Sequence, residues 1–247
     1  MTKKTRIDGR RPDQLRPVKI TRGFTRSAAG SVLIETGGTR VLCTASVEEA
    51  VPKWREAAGL GWVSAEYEML PAATNERRKR NRDGKIDGRT QEIQRLIGRC
   101  LRAVVDMKKL GPRSIWIDCD VIEADGGTRT VAINGGYIAL CDAVAGLRKK
   151  GLITASPIMD GVAAVSVGLC DGRVLLDLCY DEDKDAGVDF NVVMTGGGQF
   201  VELQGAAEGG TFAETEMRRI LATAKKGIGE LLRLQTAALK KPLTRRG

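Results

Sequence analysis

Ile115-Trp116-Ile117-Asp118-Cys119-Asp120-Val121-Ile122-Glu123 is an alternating, β-branched segment that runs into Ala124-Asp125-Gly126-Gly127-Thr128-Arg129-Thr130. A helix-patterned segment, Val131 to Leu147, follows at once. Glycines at a strand-to-helix turn free backbone N–H groups to point at an anion, and a helix N-terminus adds partial positive charge. Arg129 supplies a forked, permanently charged partner that fits two phosphate oxygens together. Taken alone, Asp125 to Thr130 suits either an anion site or a tight turn whose arginine is merely solvated.

Upstream, Val18 to Thr21, Ser31 to Glu35 and Arg40 to Ser46 read as strands, with Gly37-Gly38 as the hairpin turn between the last two. Trp62 to Met69 is a further strand, closed by Pro71. The basic stretch 75 to 88 lacks apolar periodicity and reads as an exposed loop. From Thr90 to Leu110, the residues Ile93, Leu96, Ile97, Cys100, Leu101, Val104 and Val105 follow helical spacing until Gly111-Pro112. At about 100° per residue, Arg95, Arg99 and Arg102 fall on the opposite face, suited to solvent, RNA or a subunit contact. The same phase puts Arg89 inward, where it needs a bound phosphate or a structural ion pair.

Downstream, Ile133, Tyr137, Leu140, Cys141 and Val144 mark one face of a second helix. Val162 to Cys170 and Val174 to Tyr180 read as strands around Asp171-Gly172, and Val188 to Thr195 and Phe200 to Gln204 as strands around Gly196-Gly197-Gly198. A last helix runs from about Glu214 to Lys240. Strands followed by a helix therefore occur twice, hinting at a duplicated unit. No Pro/Ser-rich linker splits the chain, so one α+β domain spanning 1–247 is expected.

Composition excludes whole classes of chemistry. The 247 residues contain no histidine, so triads with a His base and His-ligated zinc are impossible within the chain. Catalysis would fall to carboxylates, Arg, Lys, hydroxyls or an oxygen-bound hard metal. Cysteines 43, 100, 119, 141, 170 and 179 form no CxxC pair and lie in apolar segments, the pattern of buried thiols in a reducing cytoplasm. There is no secretory signal and no run of 18 apolar residues, so no membrane span is expected. Net charge is +9, and residues 3 to 26 hold nine Lys/Arg against two Asp. Arg77-Arg78-Lys79-Arg80-Asn81-Arg82 and the basic tail add to the clustering, which favours a nucleic-acid partner over charge kept for solubility. Aromatics are only 4%, so base stacking can be at most a minor contributor.

Asp181-Glu182-Asp183-Lys184-Asp185, followed by Asp189, is the one dense carboxylate group. It suits Mg²⁺ or acid catalysis, or else an acidic surface turn. Asp183 and Asp189 would lie about 20 Å apart in a straight strand, so a shared site requires a bend, which Gly187 allows. GxxxxGK[ST] and GxGxxG are both missing, which disfavours an NTPase or Rossmann enzyme.

Several stretches together resemble ribonuclease PH, the phosphorolytic 3′-exoribonuclease family. They are Arg6-x-Asp8-Gly9-Arg10 with Leu15-Arg16-Pro17, Trp62-Val63-x-Ala65-Glu66-Tyr67, and the run from Gly88 to Arg99. Asp118-Cys119-Asp120-Val121, Ala124 to Thr130, Glu182-Asp183, Asp189-x-Asn191-Val192-Val193-Met194-Thr195 and Glu202-x-Gln204-Gly205-x-Ala207-Glu208-Gly209 complete the set. The resemblance spans essentially the whole chain. It implies a ribosomal-protein-S5-like duplicated fold and a homo-hexameric ring, a trimer of dimers. It implies that tRNA precursors are trimmed by inorganic phosphate, releasing nucleoside diphosphates. Phosphate would be held by Arg89, Gly127, Thr128 and Arg129, and Asp183 and Asp189 would serve catalysis with Mg²⁺. Arg77, Arg80, Arg95 and Arg99 are the RNA-binding candidates. The alternative is a non-catalytic RNA-binding subunit of an exosome-like ring; such subunits have lost the phosphate arginines or the carboxylates, and here both are present. The chain departs from the family at Ala72 (usually Arg), Lys184 (usually Ser) and Asn134-Gly135-Gly136 (usually Thr-Gly-Ala).

Overall fold

The computed structural model describes residues 6–81 and 86–243. A five-stranded sheet is built from β1 (Val18–Arg22), β2 (Gly30–Thr36), β3 (Thr39–Glu48), β4 (Trp62–Met69) and β5 (Ser114–Glu123), in the order β1-β2-β3-β5-β4. Only the β4–β5 pair is parallel. A four-stranded antiparallel sheet follows from β6 (Val162–Cys170), β7 (Arg173–Leu176), β8 (Val188–Thr195) and β9 (Phe200–Ala207), in the order β7-β6-β8-β9. β3 and β5 alternate buried and open positions where one face meets a core, as the period of two requires, whereas β6 is buried almost throughout.

The helices divide the two cores. α2 (Gly88–Arg102) covers β4, and α6 (Glu214–Lys240) covers β6 and β7 through Ile220, Ala224, Ile228 and Leu231. α4 (Thr128–Lys149) packs on β2 and β3 from one side and β6 from the other. Being buried on both sides, it has apolar residues around most of its circumference, which is why its sequence shows little more than one weak stripe. By length and composition alone α4 could cross a membrane, but most of it is buried inside the protein as in any core helix. Its small residues permit the close approach: a Cβ at Gly135 would lie 2.7 Å from both Cys43 Sγ and Ile34 Cγ2.

Asn134, one of the three departures, stitches the halves together. Its side-chain amide donates to the Ala164 carbonyl at 2.9 Å and accepts from the Ala164 N–H at 2.9 Å, completing strand-like pairing with β6. Gln235 of α6 adds a donor to the Asn134 carbonyl oxygen at 3.3 Å. A buried amide with its hydrogen bonds satisfied avoids the desolvation penalty that an unpaired one would incur.

Two expected elements differ from the structure, and one short helix was not expected. The helix expected over Thr90–Leu110 ends at Arg102, and α3 (Met107–Leu110) is separate. Val105 bridges to Ile158, the Asp106 N–H donates to the Pro157 carbonyl at 2.7 Å, and the Asp106 carboxylate caps α3. Val104 and Val105 remain buried through the break, so the apolar period conceals it. The strand expected over Val174–Tyr180 stops at Leu176, because Asp177 takes a φ of 54° and Tyr180–Lys184 coils into the one-turn helix α5. The four-residue α1 (Lys53–Glu56) has no apolar period to announce it.

Candidate active site

The glycine turn enters α4 through two left-handed residues, Gly126 at φ 75° and Gly127 at φ 64°. A Cβ at Gly126 would sit 2.6 Å from the Leu178 carbonyl oxygen, so both the conformation and the space demand glycine. Arg16, almost fully buried, binds Asp177 with Nη2 to Oδ1 at 2.7 Å and Nε to Oδ2 at 3.1 Å, and also donates to the Asp125 and Gly126 carbonyls. Thr39 Oγ1 accepts the Asp125 N–H at 2.9 Å and donates to the Gly126 carbonyl at 2.7 Å. The carbonyls of the turn are thus engaged by the protein, while the first N–H groups of α4 have no partner within the helix. Asp125 is a structural residue: its Oδ1 accepts the Tyr180 N–H at 3.1 Å, tying α5 to the turn.

Thr128 and Arg129 open α4. Arg129 Nη1 donates to Gln204 Oε1 at 3.1 Å and lies 3.6 Å from Glu92 Oε1, between β9 and α2. Arg89 sits in the first turn of α2, whose N-cap Asp87 accepts the Thr90 N–H at 2.9 Å. Contrary to the helical phase, Arg89 is exposed, because the first turn projects beyond the core that the rest of the helix covers. It has no ion-pair partner among the described residues, and its charge acts on the Asp183 carboxyl and the Tyr67 hydroxyl. Tyr67 Oη donates to Thr128 Oγ1 at 2.8 Å, linking β4 to the head of α4.

Opposite these cations stand the two carboxylates. α5 carries Asp183, and Asp189 is the second residue of β8; the turn from α5 through Gly187 supplies the bend their spacing demanded. Asp183 keeps an open side, but protein atoms behind its carboxyl raise its pKa, the Asp189 charge raises it further, and Arg129 and Arg89 oppose the rise. Burial and the neighbouring Glu208 likewise raise Asp189, against Arg129. Repulsion between carboxylates is mutual, so the pair favours a shared proton or a bound cation. Among the described residues no group of three or more His, Cys, Asp or Glu forms a ready-made metal cage.

α5 is held from below. Glu182 is buried and receives Arg6 Nε at 2.7 Å and Nη2 at 2.6 Å, and it accepts the Cys179 N–H at 3.2 Å. Burial would raise the Glu182 carboxyl, but the Arg6 hydrogen bonds outweigh it and hold the group below the usual range. Arg10 is buried beside the same carboxylate. Arg6, Arg10 and Arg16, counted above toward a polyanion surface, are therefore structural, and Arg22 pairs with Asp142.

The RNA candidates lie on the surface. Arg77, Arg80 and Arg95 are exposed, and Arg99, also exposed, pairs with Glu202 at 2.8 Å. Part of the basic loop, 82–85, lies outside the described residues. Arg102 is not solvent-facing: it donates to the Val63 carbonyl at 2.8 Å and lies 4.4 Å from the Trp62 ring centroid. A cleft of about 270 Å³ at the β4–β5 edge, which borders the site at Tyr67 and Thr90, carries Glu66, Glu68, Asp118 and Asp120, a lining that repels phosphate.

The 3′ exoribonuclease family matches this chain with its domain 1 over residues 14–145 and its domain 2 over residues 160–227. The chain belongs to the ribonuclease PH family of 3′ exoribonucleases. A curated ribonuclease PH from Corynebacterium efficiens is 58% identical over 236 residues, covering 95% of this chain and 96% of that protein. The ribonuclease PH of Rhodococcus erythropolis is 57% identical over 240 residues, covering 96% and 92%. The fold agrees with solved ribonuclease PH-like structures at 20% identity. Rice (Oryza sativa) Rrp46 superposes with TM-score 0.77 over 95% of this chain and 100% of that one. A chain of the Archaeoglobus fulgidus exosome with RNA bound to the active site does so with TM-score 0.78 over 96% and 93%. The α+β fold of two sheet-and-helix units is thus the ribonuclease PH fold. Within it, Tyr67, Glu92, Gln204 and Glu208 join the site with no signal in local sequence pattern beyond the motifs that contain them.

Proposed function

We propose that this chain trims RNA 3′ ends, tRNA precursors among them, by phosphorolysis, using inorganic phosphate in place of water and releasing nucleoside diphosphates. The observation that carries the reading is the meeting of two helix N-termini, bearing Arg89 and Arg129, with the Asp183–Asp189 carboxylate pair. Attacking phosphate and scissile phosphodiester are both anions, so the site has to offset their repulsion. Arg89, Arg129, the Thr128 hydroxyl and the backbone N–H groups at Gly127 and Thr128 position the phosphate and neutralise its charge. An oxygen of that phosphate bonds to the terminal phosphorus as the bond to the 3′ oxygen of the penultimate nucleotide breaks. The departing oxygen takes up a proton, which a carboxyl of raised pKa at Asp183 or Asp189 is suited to hold. A phosphodiester is exchanged for a phosphoanhydride, so excess diphosphate drives nucleotide addition.

Mg²⁺ fits the same pair. It takes one or two carboxylates and fills its octahedron with water and substrate oxygens, so the lack of a third protein carboxylate is no obstacle. Bound by Asp183 and Asp189, it would supply charge neutralisation at the scissile phosphate. Exposed Arg77, Arg80 and Arg95 are suited to the RNA backbone, and the family resemblance supports a homo-hexameric ring. The six cysteines are free thiols, which suits the cytoplasm. Incubating the protein with 3′-extended tRNA and Mg²⁺, with and without phosphate, tests the activity. Diphosphates released only with phosphate support it; monophosphates, or no release, overturn it and favour a non-catalytic ring subunit.

A further inference from the structure

Tyr67 is 2% exposed, and its hydroxyl is flanked by the charges of Arg89 and Arg129, neither of which can accept a proton. Thr128 Oγ1, at 2.8 Å, is its one acceptor among the described residues, so Tyr67 must donate there to satisfy a buried O–H. A threonine hydroxyl has one proton and two acceptor lone pairs. With Tyr67 on one lone pair, the proton of Thr128 has to point elsewhere, and no described residue accepts it. Thr128 is the first residue of α4, between the left-handed Gly127 and Arg129, so the space beyond its hydroxyl is the space at the helix N-terminus.

We propose that Tyr67 is a positioning residue for the attacking phosphate: its hydrogen bond turns the Thr128 hydroxyl so that this group donates to inorganic phosphate. The inference rests on the phosphate site proposed above. Burial raises the Tyr67 pKa above its ordinary value although Arg89 and Arg129 pull it down, so Tyr67 stays a donor across the working range. The hydroxyl thereby becomes a third kind of donor in the site, fixed by a residue of β4 rather than by its own turn.

The test is direct binding of inorganic phosphate by calorimetry, run beside phosphorolysis of 3′-extended RNA, for wild type, Tyr67→Phe, Thr128→Val, the double variant and Thr128→Ser. Tyr67→Phe keeps the buried ring and removes only the hydroxyl. It is expected to weaken phosphate binding and raise the phosphate KM about five- to tenfold, the size of one hydrogen bond, with kcat and the RNA KM within twofold. Thr128→Val reproduces that loss, adding Tyr67→Phe to it costs nothing more, and Thr128→Ser recovers most of it. Wild-type phosphate affinity in Tyr67→Phe, or full additivity, overturns the proposal. If Tyr67→Phe fails to fold, an unchanged phosphate affinity in Thr128→Val overturns it as well. Coupled loss of phosphate binding in a protein that performs no phosphorolysis would leave the positioning role standing and remove the enzymatic reading.

Discussion

Arg16 and Asp177, 161 residues apart in the chain, form a buried two-pronged ion pair from which Arg16 also reaches the carbonyls of Asp125 and Gly126. The pair thus fixes two things together: the left-handed Asp177 that ends β7, and the glycine turn that opens α4. Removing one partner leaves the other charged and buried. Arg16→Ala is expected to lower the unfolding free energy by about 3–5 kcal/mol in a denaturant titration, and to raise the phosphate KM of whatever protein remains folded.

Arg129→Ala should raise the phosphate KM by roughly ten- to a hundredfold, the span of a charge-assisted contact. RNA affinity, measured by anisotropy without phosphate, should stay near wild type. Equal loss of RNA affinity would place Arg129 on the RNA instead.

The carboxylate pair costs the folded state stability. For an acid whose folded pKa is raised, the stabilising form is the protonated one, present below the unfolded value near 3.8 and lost as pH rises through the folded pKa. Asp189→Asn is therefore expected to melt higher than wild type at neutral pH, with the advantage vanishing below about pH 4, while phosphorolysis is abolished. A lower melting temperature at pH 7 would contradict the assigned repulsion.

Glu182 behaves with the opposite sign. Its lowered pKa gives stability that is present above the unfolded value of 4.5 and lost as pH falls through the folded pKa. Glu182→Gln should flatten the acid limb of the melting curve and lower activity by loosening α5 beneath Asp183.

Asn134→Ala should remove the paired amide contacts to Ala164 and leave that backbone unsatisfied, lowering stability by about 2–3 kcal/mol in denaturant. Activity at low temperature should survive, since no phosphate contact is lost.

Strands such as β4, β6 and β8, and the helix α6, were legible because alternation, a continuous apolar run or helical period carries them between clear stops. The α2–α3 break was not, because the core accepts Val104 and Val105 whichever way the backbone turns. The candidate site was readable as motifs, and the exposure of Arg89 was not, because phase alone does not say how far a core extends. The deepest misreading concerned charge. Arg6 and Arg16 find their carboxylates 176 and 161 residues away, so local sequence shows unpaired basic residues where the fold has ion pairs. α5 is five residues long, too short to carry a period, and it is held by the distant Arg6–Glu182 pair.

The consequence of α4 being sandwiched is one of dependence. Each sheet leans on the same helix, so neither half owns a complete interior, and Asn134 ties the shared wall to both β6 and α6. A chain severed in the connection between α4 and β6 would yield complements rather than independent proteins. The second piece, lacking α4, would expose the apolar face of β6 until the first piece returned to cover it, and the carboxylates it carries would have no arginines to face.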